Sequence, residues 1–237
     1  MLTEVATYRG RLAETVPRVR DRIAAAAERA GRDPMAVTLV GVSKGHPHEA
    51  IEAALDVGLT ELGENRVEEL GGKIEVFGRD RIHWHLIGHV QSRKAASAAL
   101  LPHMFHALDS VRLAGRLSRT LEAAGRTLPV LLQVNTSGEK SKGGVSPDEL
   151  LDVIGTISES SRLEVSGLMT MAPLVADERT LRNTFARLRE AHERALAGTE
   201  YRGTHLSMGM TNDFEIAVEE GSTLVRVGTA LFGERKR

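Results

Sequence analysis

Eight short apolar runs, each separated from the next by a stretch with helical periodicity, are the strongest constraint on the fold of this chain. Alternating strands and helices predict a parallel sheet with helices packed against it. Eight such units over about two hundred residues suit a single α/β domain of the (β/α)8 barrel type, although an open doubly wound sheet has the same periodicity. The predicted strands are 37–43, 59–62, 82–87, 103–107, 129–135, 163–169, 203–207 and 223–228.

An amphipathic helix precedes the first predicted strand. Val16, Val19 and Ile23 recur at spacings of three and four, with charged residues between them. A glycine and a proline then end the helical pattern. We therefore expect residues 1–31 to form an extra helix packed on the barrel, and residues 1–237 to form one domain.

The composition argues against a nucleic-acid or membrane partner. The chain has 31 lysines and arginines against 32 acidic residues, and aromatic residues make up 3%. It therefore lacks both a basic patch and stacking platforms for bases. Cysteine is absent, which excludes disulfides and thiolate metal sites. Without a signal peptide, a membrane-spanning run or a long apolar surface stripe, we expect a soluble, cytoplasmic monomer.

Lys44 stands where the first predicted strand ends. In α/β barrels the loops after the strands converge on one face and carry the catalytic and binding groups. Lysine forms Schiff bases with aldehydes when its surroundings lower its pKa. The position alone is a weak indication, because most lysines after strands are solvated turn residues.

Two hydroxyl-rich loops follow the last two predicted strands. Gly209 and Gly228 would let backbone N–H groups approach an oxyanion closely. Ser207, Thr211 and Thr229 would add hydroxyl donors. Because barrels of this type most often bind phosphate after their last two strands, the pair of loops predicts a phosphate site.

Arg226 lies within the last predicted strand, where it alternates with Val225 and Val227. One of the two faces of that strand lines the barrel interior. An arginine on that face must be paired, because an isolated buried charge is very costly. Arg226 therefore needs a hydrogen-bond acceptor.

Seven segments in order carry a resemblance to one known family. They are Val42-Ser43-Lys44, Gly63-Glu64-Asn65, Trp84-His85-Leu86-Ile87-Gly88 with Gln91 and Lys94, Ser141-Lys142-Gly143, Gly167-Leu168-Met169, Ser207-Met208-Gly209-Met210-Thr211-Asn212-Asp213, and Arg226-Val227-Gly228-Thr229-Ala230 with Phe232-Gly233. In these motifs the chain resembles the pyridoxal phosphate homeostasis proteins over almost its whole length. The resemblance implies a (β/α)8 barrel like the cofactor domain of alanine racemase, which is fold type III among proteins that bind pyridoxal 5′-phosphate (PLP).

The resemblance also assigns roles to residues at matching positions. It makes Lys44 the lysine that holds PLP as an aldimine, and it places Arg226 against the pyridine nitrogen. It implies that Lys142 is a secondary acceptor for the aldehyde. It assigns the phosphate to Ser207, Thr211 and the backbone of Gly228 and Thr229, beside Gly209 of the predicted loop, and it makes Asn65 and His85 pocket residues.

Three positions depart from the family pattern. Many relatives have Ser-Lys-Thr-x-Pro at the lysine motif, whereas this chain has Gly45 and His46 after Lys44. Arg93 replaces an asparagine that is common before Lys94. These departures leave the aldimine lysine and the phosphate loops intact. They affect any transfer of the cofactor to another protein that depends on the loop after Lys44.

The expected function is PLP homeostasis without committed turnover. An arginine donates to the ring nitrogen and leaves it unprotonated, which makes the ring a weak electron sink. Racemisation also needs an acid or base on each face of the substrate, and Tyr8 and Tyr201 lie away from the predicted rim. We expect PLP to be buffered or delivered transiently to apoenzymes; the alternative is a PLP-dependent amino-acid racemase or a Schiff-base lyase.

Two rival interpretations arise from the residues. His83 and His85 share one face of a strand and His89 follows, which is compatible with a metal-dependent hydrolase. No carboxylate ligand is evident at the later strand ends, so we expect no metal. A Schiff-base aldolase would need an acid or base near Lys44, and Asp56 and Glu61 are too distant in sequence to assign.

Overall fold

A closed barrel of parallel strands forms the centre of the protein. The computed structural model describes residues 4–139, 143–159, 162–174 and 177–235. Each strand in these residues pairs with the next in sequence, and the last pairs with the first, so the predicted barrel is confirmed and the open sheet is excluded. The strands are β1 (Thr38–Val42), β2 (Glu61–Glu64), β3 (His83–Leu86), β4 (Met104–Leu108), β5 (Leu128–Gln133), β6 (Leu163–Met169), β7 (His205–Ser207) and β8 (Leu224–Val227).

Helices cover the outside of the barrel. Their contacts with the strands and with each other bury one apolar core between the two layers. Trp84, Phe105, Phe185 and Phe214 are among its largest fully buried side chains. The helices are α1 (Glu4–Arg29), α2 (His48–Asp56), α3 (Val67–Phe77), α4 (Ala95–Leu100), α5 (Val111–Ala123), α6 (Leu150–Ser158), α7 (Glu178–Gly198), α8 (Phe214–Glu219) and α9 (Thr229–Phe232).

The predicted N-terminal helix is α1, and it completes the outer layer. It contacts α2, α8 and α9. Helix α9, which follows the last strand, is a single turn. Helix α1 therefore covers the part of the barrel that a longer helix after β8 would cover. Leu12, Val16 and Ile23 are buried on its inner face, as the periodicity predicts. Pro17 lies on the exposed face, where water can reach the backbone carbonyl that loses its intrahelical partner.

Helix capping follows the sequence signals in α5 and departs from them in α6. Ser110 caps α5 by accepting the N–H of Leu113. Ser146 and Pro147 are residues typical of a helix start, but α6 begins at Leu150. The Ser146 hydroxyl instead accepts the N–H of Asp148, and its carbonyl accepts that of Glu149. A turn therefore precedes the helix, because the adjacent Val145 is fixed by a bridge to Val134.

Among the helices of the described residues, none combines the length and the apolar character that a membrane span requires.

Candidate functional site

A cavity of about 320 Å³ opens at the carboxyl ends of the strands. Apart from the predicted site residues, its lining is largely apolar and includes Ile87, Met171 and Met210. A cavity of this size and lining is typical of small-ligand sites. Of the nine residues predicted to bind cofactor, it is lined by Lys44, Asn65, Thr211, Arg226, Gly228 and Thr229.

Larger hollows lie elsewhere on the molecule: one of about 440 Å³ beside α3, one of about 690 Å³ between α4 and α5, and two of about 570 Å³. Of the last two, one lies beside Arg187, between the β5–α6 loop and α7. The other lies between α1 and the amino ends of β1 and β2. Among the described residues that line these hollows the only lysine is Lys73, beside α3, and its amine is paired with Glu64 and Glu69. The cavity beside Lys44 is therefore the better site for aldehyde chemistry.

Lys44 presents a half-buried amine to this cavity. It follows β1 in a turn that Gly45 completes with φ +71°. Burial lowers the pKa of Lys44 below its ordinary 10.5, and the positive charge of Arg235 lowers it further. Within the described part of the chain, its amine has no hydrogen-bond partner. The amine is therefore more nucleophilic at neutral pH than that of an exposed lysine.

Replacing Arg235 by glutamine is expected to raise the pKa of Lys44. The Arg235 guanidinium destabilises the nearby ammonium ion, so its removal makes the protonated form easier to keep. NMR titration of the protein after ¹³C-methylation of its lysines would follow the Lys44 signal. Arg202→Gln makes the same charge change before β7, at the opposite end of the barrel, and should leave that signal unmoved. Equal shifts in both variants would contradict the assignment.

A buried ion pair supports the turn that carries Lys44. Lys73 Nζ lies 2.6 Å from Glu64 Oε1 and donates to the backbone carbonyl of Ser43 at 2.9 Å. The Ser43 hydroxyl donates to the same Glu64 oxygen at 2.5 Å. Glu69 accepts from Lys73 at 2.9 Å and from the N–H of Gly45 at 2.5 Å. Ser43 and Gly45, the two neighbours of Lys44, are thus both held by this network.

Arg226 lies in β8 and faces the barrel interior, where it has the hydrogen-bond acceptors that a buried charge requires. Its guanidinium donates to the Ser207 hydroxyl and, at 3.0 Å, to the backbone carbonyl of Thr170. Burial lowers the pKa of Arg226 to about 10, so it remains a cation at neutral pH. The pairing predicted for an inward-facing arginine is present.

Ser207 and His85 lie below the cavity, in a chain of hydrogen bonds inside the barrel. His85 Nδ1 is 2.8 Å from Nε2 of His106, and His106 Nδ1 is 2.9 Å from the Ser207 oxygen. All three side chains are buried. None of the three is among the described residues that line the cavity, and Ser207 bonds Arg226, which does line it.

Gly209 is also absent from the cavity lining. It has φ +93°, and a Cβ at this position would lie 2.6 Å from the Cβ of Ala217. Its carbonyl accepts the N–H of Arg226 at 3.0 Å. Glycine is therefore required for the close approach of this loop to α8, while the loop positions the backbone of β8.

Two of the departures from the family motif, His46 and Arg93, lie outside the cavity lining in the described part of the chain. His46 is buried and shares a hydrogen bond of 3.0 Å with the Tyr8 hydroxyl. Arg93 donates to Gln91 at 3.0 Å on the surface. Lys142 lies outside the described residues.

Comparison with known proteins identifies close relatives. The family model for the N-terminal domain of alanine racemase matches residues 16–236. A protein of Aquifex aeolicus named pyridoxal phosphate homeostasis protein is 39% identical, over 94% of this chain and 98% of its own length.

Solved structures agree with these sequence matches. An unknown protein from Bifidobacterium adolescentis is 38% identical with a TM-score of 0.91, and the match covers 98% of both chains. PipY of Synechococcus elongatus, solved with PLP bound, is 35% identical with a TM-score of 0.79. That match covers 91% of this chain and all of PipY (100%).

Proposed function

Because this chain belongs to the family of pyridoxal phosphate homeostasis proteins, we propose that it binds PLP in the cavity beside Lys44 and buffers or delivers the cofactor. The observation that carries the proposal is the half-buried Lys44 amine, whose pKa is lowered. When bound, PLP supplies an aldehyde carbon that reacts reversibly with an unprotonated amine. The PLP-bound structure of PipY supports the same assignment.

The residues around the cavity fit the other parts of the cofactor. Arg226 is a buried cation that reaches the cavity and can donate to a ring nitrogen. Thr211 and Thr229 offer hydroxyl donors, and Gly228 offers backbone, to a phosphate. Asn65, in the loop after β2, also lines the cavity and is available to a ring substituent.

Three predicted contact residues receive supporting roles in this proposal. Ser207 accepts from Arg226, and His85 reaches Ser207 through His106. Gly209 holds the backbone of Arg226. In this assignment they fix the arginine instead of touching the cofactor.

The arrangement favours a cofactor carrier over a racemase. A cationic Arg226 beside the ring nitrogen leaves that nitrogen unprotonated and weakens the ring as an electron sink. The hydroxyl of Tyr8 bonds His46 and that of Tyr201 bonds His192 at 3.1 Å, both in buried positions outside the cavity lining. A second base opposite Lys44 therefore does not come from a tyrosine of the described residues.

Residues 1–237 act as one binding unit in this proposal, and the protein is a cytoplasmic monomer. PLP-dependent apoenzymes are its transient partners. The absence of cysteine fits a reducing compartment. The exposed Leu174 and half-exposed Met171 at the cavity mouth offer the apolar surface that a brief encounter needs.

Borohydride reduction of the PLP-loaded protein tests the proposal. We expect a visible absorption band that disappears on reduction, with one PLP fixed to the peptide that contains Lys44. Lys44→Ala should lose both the band and the fixed label. Lys94→Ala removes a lysine paired with Glu68 on the protein surface and should lose neither.

Two results would contradict the proposal. One is a colourless protein that refuses added PLP. The other is label fixed equally well in the Lys44→Ala variant. Rapid loss of optical activity from amino acids, dependent on Lys44, would retain the cofactor but favour the racemase alternative.

A further inference from the structure

Three potential metal ligands converge at the amino end of the barrel, opposite the PLP cavity. Glu61 and His83 are direct partners across the β2–β3 pair, and His85 follows on the same face of β3. Glu61 Oε2 lies 2.9 Å from His83 Nδ1 and 2.6 Å from His85 Nε2. The two ring nitrogens are 3.1 Å apart. One ligand atom from each residue therefore occupies a corner of a small triangle.

Hydrogen bonding alone does not satisfy this triangle. If both neutral rings point an N–H at Glu61, the two N–H groups face each other across the third edge. If only one ring carries its proton there, the edge between Glu61 and the unprotonated nitrogen of the other ring brings lone pairs face to face. Each arrangement leaves at least one edge unfavourable, whereas a metal ion accepts a lone pair from all three atoms at once.

The surroundings of the two histidines hold them as ligands. His85 Nδ1 bonds His106, which in turn bonds Ser207, so the outer nitrogen of His85 is anchored inside the barrel. His103 stacks on His83 with ring centroids 4.9 Å apart, and its own Nδ1 accepts the N–H of Trp84. His85 thus has the outer hydrogen bond that metal-binding histidines characteristically have, which fixes the tautomer and the ring orientation, whereas His83 is held by the ring stack.

An ion can reach this cluster from solvent. The His85 side chain is 2% exposed, whereas Glu61 and His83 are 34% and 42% exposed. The inner ligand is thus buried and the outer two face the barrel mouth, where water can complete the coordination. None of the three lines the cavity beside Lys44.

We propose that Glu61, His83 and His85 bind one divalent transition-metal ion, with zinc as the best match to two imidazoles and one carboxylate. Tetrahedral zinc holds such ligand atoms about 3.3 Å apart. The edges of 2.9, 2.6 and 3.1 Å must therefore open, and the Glu61–His85 edge must open most, by about 0.7 Å. The carboxylate that the later strand ends lack is supplied here by Glu61, which lies on the strand before the histidines. The proposal is independent of PLP binding.

Zinc titration of the purified full chain against a chromophoric chelator tests this site. We expect one ion per chain, and an affinity that falls roughly 100-fold in His83→Phe, which keeps a ring to stack on His103. Glu61→Gln retains the shape of the side chain but loses its charge, and should fall in the same direction. Thermal stabilisation by added zinc should be lost in both variants.

His89→Asn is the matched control. His89 is also a histidine beside a carboxylate, 2.9 Å from Asp109, but it is 68% exposed and follows the carboxyl end of β3. This variant should bind zinc as the unmodified protein does. Unchanged affinity in folded His83→Phe or Glu61→Gln would overturn the proposal, as would weak binding of several ions that no variant alters. If His83→Phe fails to fold, the Glu61→Gln titration decides the question alone.

Discussion

Replacing Lys73 by methionine is expected to destabilise the protein by about 3–5 kcal/mol, because it leaves the buried carboxylate of Glu64 without its counter-ion. The side chains of Lys73 and Glu64 are 4% and 0% exposed, so water cannot take the place of the lost ammonium. Ser43 would remain as the hydroxyl donor to Glu64. Chemical denaturation of the PLP-free protein measures the change in the free energy of unfolding.

A double variant separates the loss of the ion pair from the loss of packing. In Lys73→Met with Glu64→Gln, both charges are removed, and much of the lost stability should return. If the double variant is as unstable as Lys73→Met, packing of the lysine stem is the main contribution of this residue and the charge argument fails.

The pH dependence of Lys73→Met gives a second check. Burial raises the pKa of the Glu64 carboxyl, and Lys73 and Ser43 oppose that effect. Without Lys73 the folded protein binds a proton at Glu64 more readily than the unfolded chain does, so stability rises as pH falls towards the ordinary range of a glutamate. The gap between the variant and the unmodified protein should therefore narrow from neutral to mildly acidic pH.

The strands could be predicted because each is a short apolar run that alternates with a helical pattern. The prediction 163–169 coincides with β6, whereas the prediction 59–62 begins and ends two residues before β2 does. Leu59 explains this difference, since its side chain is buried against Gly41 although its backbone is outside the sheet. Apolar periodicity reports burial, and burial extends beyond the ends of strands.

Lys44 and Arg226 could be predicted as site residues because of their positions in the predicted strands. Lys44 follows the end of the first strand, and Arg226 lies inside the last. Lys73 could not be predicted, because a lysine in a helical pattern is normally solvated. Only the fold places it against the turn that carries Lys44. His106 gave no separate signal either, because one histidine in a buried strand does not indicate its partners. Ser207 was predicted to hold phosphate, but in the structure its hydroxyl already accepts a hydrogen bond from Arg226, which the sequence does not indicate.

Gly88→Ala is expected to weaken both the fold and PLP binding. A Cβ at this position would lie 2.2 Å from the backbone carbonyl oxygen of Asn65 and 2.9 Å from its Cα. Backbone cannot move aside as a flexible side chain can, so the loop after β2 must shift at a cost of roughly 1–3 kcal/mol. Because Asn65 lines the cavity, the same shift deforms the site. Denaturation and PLP titration measure the two effects.

Gly72→Ala is the control that separates steric clash from the mere loss of a glycine. Gly72 lies inside α3, and a Cβ there meets nothing within 4 Å. Alanine favours the helix and should stabilise the protein by about 0.5–1 kcal/mol, with PLP affinity unchanged. The two substitutions are chemically identical and should act in opposite directions. Of the two positions, Gly88 alone lies against another backbone segment. Opposite signs would locate the effect in the contact with Asn65, whereas unchanged stability in Gly88→Ala would show that the loop yields freely.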